Sequence, residues 1–349
     1  GPRIAPADLQ FVGEAHGGRH ANRRLRRGRP PIIRGMHLVV PHAAPAPEVG
    51  AQVLQGLRLP QLERLLARLS PGPAIRTGPA SLNTPFEHVL ARCRGWAGDD
   101  GSLPLAAWAA QADGLPAAPA GQGWGLLTPT HWQVGSEQIL LLDPAQLHLH
   151  EAESRALWRT LRGLFDEGDG WTLHWGAPLR WYATHALLDG LATASLDRVI
   201  GQPIDRWLPE RRAGAVLRRL QSEAQMLLHT HPINAAREAR GELAVNFFWL
   251  SGTGPTQALR PTEDEPQVDD RLAAPWRAGD WAAWAEAWQA LDAQQLGEIE
   301  ARAARGDVVG LTLCGERAAQ RFDSAQRSTW QRLTRGWRRP AARTALEPL

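Results

Sequence analysis

Apolar residues recur along the chain at two spacings. Leu59, Leu62, Leu65, Leu66 and Leu69 fall three and four positions apart, which predicts an amphipathic helix over 59–70. The same period predicts helices over 85–96, in the segment LAAWAAQA (105–112), within 145–170, and over 212–238, 280–291 and 325–338. Trp281, Trp284 and Trp288 share one face of the 280–291 segment and read as a stripe facing the core. Short apolar runs at 37–41, 242–254 and 307–315 read as buried strands, the second ending in a glycine turn, SGTG. Residues 124–144 read as two strands around a Gly-Ser turn, and 171–185 as a strand pair interrupted by Gly-Ala-Pro. The proline-rich or polar stretches 71–85, 192–210 and 255–275 read as loops and extended chain. No internal repeat is visible. Strands interleaved with helices predict an α/β fold, and the hairpin-like pairs favour a mixed sheet over a purely parallel one.

Composition sharpens this picture at a few points. At 43% hydrophobic residues over 349, the chain can bury a sizeable core. Its aromatic set is lopsided, with 16 Trp against 6 Phe and 1 Tyr, and all 39 basic residues are arginine; both fit a coding bias. Eight arginines within 1–35, against Asp8 and Glu14, give that segment +6, so the rest of a chain of net +3 carries −3. Residues 1–35 lack apolar periodicity and are expected to be a disordered, arginine-rich extension. The folded part is expected over 36–349, opening with the strand-like MHLVVP. Nucleic acid is expected as a partner only through those N-terminal arginines. No apolar run has the roughly eighteen residues of a membrane helix, and no apolar segment follows the N-terminal charges as in a signal peptide. Cys93 and Cys314 make neither a metal-ligand spacing nor a disulfide framework. A cytoplasmic location is therefore expected.

The candidate chemistry centres on HTHPINAAREARG (229–241) and, shortly after it, VNFFWLSGTG. The longer run that contains them resembles the archaeal-type cofactor-independent phosphoglycerate mutases. The positions that carry the resemblance are Asp197, Gly201, Pro203, Ile204, Leu208 and Pro209; His231, Pro232, Asn234, Arg237 and Gly241; and Asn246, Trp249, Gly252 and Gly254. In length and order the chain from Met36 also resembles a bacterial branch labelled RpfE-type regulatory protein. The resemblance implies a degenerate alkaline-phosphatase-like mixed sheet with helices on both faces, and a lid-like inserted subdomain that 175–254 resembles together with its return strand. In that family two metal ions sit on Asp, Ser and His side chains, and a serine carries the phosphoryl group.

The sequence departs from that pattern where the metal ligands belong. The strand at 37–41 runs into PHAAPAPE, with no carboxylate before Glu48. Ser81 can take the serine position, but its neighbours in SLNTPFEH lack the family's Asp and His. The late strand leads into LCGERAAQRFD, and no histidine follows His231. The reading is therefore a relative without catalytic or metal-binding residues and without a cofactor, which binds a small phosphorylated ligand or a protein partner. The alternative is an enzyme with rearranged ligands, which needs Mn or Mg. Anion-binding candidates are Arg180, His231, Asn234, Arg237, Arg240 and Asn246. Each has an equally simple structural reading as a cap, a packing residue or half of an ion pair.

Overall fold

The computed structural model describes residues 36–45, 47–210, 214–258, 266–324 and 340–349. The expectations for 1–35 and for a helix over 325–338 lie outside these residues.

The core element is β1 (Met36–Val40), and its alternation decides the layering. Leu38 and Val40 point to one face of the sheet, His37 and Val39 to the other. β1 pairs in parallel with β10 (Val309–Cys314) on one side and β9 (Pro266–Val268) on the other. β11 (Ala318–Asp323) and β2 (Ser70–Arg76) extend the sheet antiparallel, giving the order β2-β11-β10-β1-β9. The leucine-rich face is covered by α1 (Pro47–Gly56), α2 (Pro60–Arg68), α10 (Trp281–Leu291), α11 (Gly297–Arg305) and the helix Ala342–Leu346. The other face carries α3 (Pro85–Arg94), so helices pack on both sides of a mixed sheet, as expected of the fold class.

A second, antiparallel sheet has the order β6-β7-β3-β8: β3 is Gly123–Thr130, β6 Thr172–Ala177, β7 Arg180–His185 and β8 Phe247–Gly254. α5 (Glu151–Arg162) and α7 (Ala215–His229) cover one face, and α4 (Leu105–Ala112) covers the other. The 175–254 segment thus contributes β7 and β8 on either side of β3.

Several expectations are corrected here. Of the stretch 71–85, read as loop, residues 71–76 belong with Ser70 to β2; Pro71 and Pro73 are tolerated because β2 is an edge strand with N–H groups to spare. The expected loop 255–275 contains β9. The 124–144 segment makes β3 and then a separate hairpin, β4 (Trp132–Val134) and β5 (Ile139–Leu141), around the Gly-Ser turn. The 212–238 helix breaks at Thr230–His231, where Pro232 opens α8 (Pro232–Ala239). The SGTG stretch is strand, not turn: β8 runs through Gly254, and Gly252 has φ 63° beside α4. A Cβ at 252 would lie 2.9 Å from the Ala106 nitrogen, so only glycine lets the helix pack this close.

His37 is a polar residue with 2% exposure on the second face of the sheet, with Nε2 2.8 Å from Thr312 Oγ1. Burial, with the Arg321 charge added, lowers its imidazole to about 4. The unfolded chain binds this proton near pH 6.5 and the folded chain only near 4, so stability falls as pH drops through that window. Denaturant titrations should show about 2 kcal/mol less stability at pH 5 than at pH 7, a difference that disappears in His37→Gln. Equal pH dependence in the two proteins would refute this.

Candidate functional site

Three parallel strands, β1, β9 and β10, end at one edge of the five-stranded sheet. In open α/β sheets that carboxyl edge is where ligands usually bind. The chain leaving β1 turns sharply there, with His42 in the left-handed region at φ 54°. Its backbone is fixed by the tryptophans: indole N–H groups of Trp284, Trp288 and Trp276 donate to the carbonyls of His42, Ala43 and Ala44 at 3.0, 3.1 and 2.9 Å. Trp284 and Trp288 are fully buried, so the expected stripe does face the core, and it also clamps this turn.

The clamped turn aims the His42 ring across Trp276, centroid to centroid 4.8 Å, with Nε2 3.5 Å from Asp197 Oδ2. Asp197 comes from the short helical turn α6 (Leu196–Val199). Arg277, at the end of α9 (Ala273–Arg277), donates through Nε to Asp197 Oδ1 at 2.8 Å. Desolvation alone would raise the Asp197 carboxyl. The hydrogen bond from His42 and the Arg277 charge outweigh it and hold the carboxyl far below the usual carboxylate range. Glu87, on the first turn of α3, responds the other way. Desolvation pushes its carboxyl up despite hydrogen bonds from Asn83 Nδ2 (3.0 Å) and Thr84 N (2.9 Å), and the nearby Asp197 charge adds to the rise. Thr84 and Glu87 form a reciprocal capping box, a signal readable in the sequence TPFE.

Ser81 lies in the loop before α3. Its hydroxyl donates to Asp100 Oδ1 at 2.8 Å, and the same carboxylate accepts from Leu82 N (2.7 Å) and Asn83 N (2.9 Å). Desolvation works to raise the Asp100 carboxyl, but these donors lower it overall, which makes it a poor base toward a hydroxyl. Arg198, 7% exposed, ties the loop down by donating to the Asn83 and Glu316 carbonyls and to Thr77 Oγ1.

The anion-binding candidates lie elsewhere, around the second sheet. His231 caps α8: Nδ1 accepts from Ile233 N at 3.2 Å and Nε2 lies 3.0 Å from Thr160 Oγ1. Asn234 is buried and bonds the Leu228 and Val245 carbonyls and the Val245 N–H. Arg237 is fully buried and donates to Glu153 Oε2 at 2.5 Å and to the carbonyls of Leu243 and Leu147. Arg240 reaches both Glu153 and Glu242 at 2.7 Å. Asn246 exchanges hydrogen bonds with the Trp132 backbone. Arg180 stands apart from α8 on β7, in a two-pronged pair with Asp113, which also accepts from Tyr182. The structure thus groups His231, Asn234, Arg237 and Arg240 on one short helix and gives every one of the six a protein partner. An incoming anion would have to displace a carboxylate or a carbonyl. His42, Glu87 and Arg277 were not among the sequence candidates: the capping box TPFE marks Glu87, but nothing local marks His42 and Arg277, which only a turn and long-range packing bring together.

Among the described residues, no three His, Cys, Asp or Glu side chains are grouped so as to hold a metal ion. No described helix is long and apolar enough to cross a membrane.

No family model and no curated protein sequence matches the chain. Among solved structures, it is similar to the cofactor-independent phosphoglycerate mutase from Thermoplasma acidophilum DSM 1728, at 13% identity over 84% of this chain and 91% of that chain, with a TM-score of 0.36. It is similar also to a protein from Pyrococcus horikoshii, at 12% identity over 83% of this chain and 87% of that one, with a TM-score of 0.40. These likenesses are distant and concern the path of the chain.

Proposed function

We propose that the protein is a non-catalytic, regulatory relative of the cofactor-independent phosphoglycerate mutases that acts in the cytoplasm by binding a small phosphorylated ligand or a protein partner. The observation that carries this reading is the Arg277–Asp197–His42 group at the carboxyl edge of β1. A guanidinium already neutralises the carboxylate there and an imidazole lies against it, and a divalent cation placed beside it would meet the Arg277 charge at close range. The residues present therefore do not fit a pair of divalent ions, which need several unpaired oxygen or nitrogen donors. Ser81 supports the same reading, because its hydroxyl is held by a carboxylate whose basicity is lowered. Asp197 belongs to the motif run that carries the sequence resemblance, so the neutralised carboxylate lies within the mutase-like part of the chain.

The test is an assay of the pure protein with 3-phosphoglycerate and Mn²⁺ or Mg²⁺. Formation of 2-phosphoglycerate should not exceed that of Ser81→Ala. Turnover that requires both the metal and Ser81 would establish instead a mutase with rearranged ligands.

A further inference from the structure

The hairpin of β4 and β5 stands beside the start of β8, and its pairing leaves one edge open. Gly135 N donates to Gln138 O at 2.9 Å and Leu142 N to His131 O at 3.1 Å. Residues 131, 133 and 135 therefore exchange bonds with the β5 side, while Trp132 and Val134 turn their N–H and C=O groups outward. At Trp132 a side chain fills that outer edge: Asn246 Oδ1 accepts from Trp132 N at 2.7 Å, and Asn246 Nδ2 donates to Trp132 O at 3.0 Å. The carboxamide does there what the peptide unit of a neighbouring strand would do. The edge continues at Val134, where among the described residues nothing bonds the N–H or the C=O. The far edge of the hairpin is closed, with Gly201 N donating to Leu141 O at 2.9 Å and Leu140 bridging to Pro203.

The open edge borders a cavity of about 250 Å³ between the hairpin and α7. Trp132 and Val134, two positions apart, share one face of β4 and line the cavity together with Ile139 and Phe247. Opposite them, α7 presents Gln221, Ser222 and Gln225, which one helical turn brings to a common side. Gln221 is buried, and its Nε2 reaches Phe248 O at 3.5 Å. The lining holds no carboxylate. Its one charged side chain, Arg218, donates to the Pro209 carbonyl at 3.2 Å.

Three features choose the occupant. An N–H and a C=O of one residue, aimed the same way, match the C=O and N–H of an extended chain laid antiparallel. Val134 is 73% exposed, an apolar β-branched residue at an open strand edge, where proteins commonly place a charge or a proline. The charge of the lining excludes charged side chains: a basic one would meet no carboxylate, and an acidic one would have to draw Arg218 from Pro209.

We propose that this cavity binds an uncharged, extended segment of a partner protein, which adds as a strand to β4 at Val134. The central residue of the segment exchanges two hydrogen bonds with Val134. Directly opposed residues share a face, so its apolar side chain enters the cavity against Trp132 and Phe247. The amides and hydroxyl of α7 meet the main-chain groups that remain. None of these residues belongs to the Asp197 group, so the proposal holds whether or not the protein turns over phosphoglycerate.

The experiment titrates the full chain into a fluorescein-labelled, amidated peptide, Gly-Val-Leu-Val-Gly, and follows anisotropy. Saturable binding is expected. Methylating the central leucine nitrogen, which removes its donor and leaves the protein untouched, should weaken binding about tenfold or more. Aspartate in place of that leucine should weaken it by at least as much. Val134→Pro should also weaken it about tenfold or more, because proline lacks the N–H while an outward-facing edge position tolerates it. Circular dichroism checks that this variant folds, and the methylated peptide decides the matter if it does not. No saturable binding, or affinity indifferent to the methyl group, to the aspartate or to Val134→Pro in a folded chain, would overturn the proposal. So would a chain that is dimeric by light scattering and becomes monomeric in Val134→Pro, since the edge would then belong to a second copy.

Discussion

Replacing Arg237 with methionine is expected to lower the free energy of unfolding by about 3–5 kcal/mol, the range for removing one partner of a buried ion pair. The side chain is fully buried and its guanidinium serves three acceptors: Glu153, the Leu243 carbonyl and the Leu147 carbonyl. Methionine roughly preserves the volume, so the loss is that of the hydrogen bonds, with two carbonyls left short of donors. Lysine should not rescue, because its ammonium lacks the planar fork that reaches α5, the turn before α5 and the turn after α8 together. Arg240→Ala is the control. That residue shares Glu153 but is solvent-exposed, and its removal should change stability far less. Chemical denaturation of the three variants checks this. Similar stabilities for Arg237→Met and wild type would show that Arg237 is not the centre of this packing.

Arg277→Met is expected to cost about 3 kcal/mol at neutral pH, because Asp197 would keep a largely enclosed charge with no paired cation, only the His42 ring beside it. The sign of the pH dependence follows. A carboxyl depressed in the folded state contributes stability above its unfolded value near 4, and that contribution is lost as pH falls through the folded value. Removing Arg277 raises the folded value, so the acid limb of the stability profile moves to higher pH. Asp197→Asn combined with Arg277→Met should recover part of the loss, since the stranded charge is gone. A double-mutant cycle measures the coupling, and additive losses would show that the two side chains do not depend on each other.

Much of the architecture can be read from periodicity. The stripes of α2 and α10 and the apolar runs of β1, β8 and β10 each face a core in the structure, because burial is the only arrangement that satisfies them. What escapes is local chemistry overridden by position. Pro71 and Pro73 look like loop residues unless the strand is known to lie at an edge. β9 has three residues and gains its identity from pairing with β1. The last residues of HTHPINAAREARG look like free cations, yet Glu153, 84 positions before Arg237, and Glu242 together pair with Arg237 and Arg240. At the carboxyl edge, Asp197 stands in a legible motif and Glu87 in a legible capping box. The turn that delivers His42 and the packing that delivers Arg277 across 80 positions have no local signature.

Equilibrium dialysis of the full chain against Mn²⁺ at neutral pH tests the central claim most directly. With Asp197 already held by Arg277 and His42, the protein should retain no stoichiometric manganese. Two ions held per chain, and released by Asp197→Asn, would contradict the account.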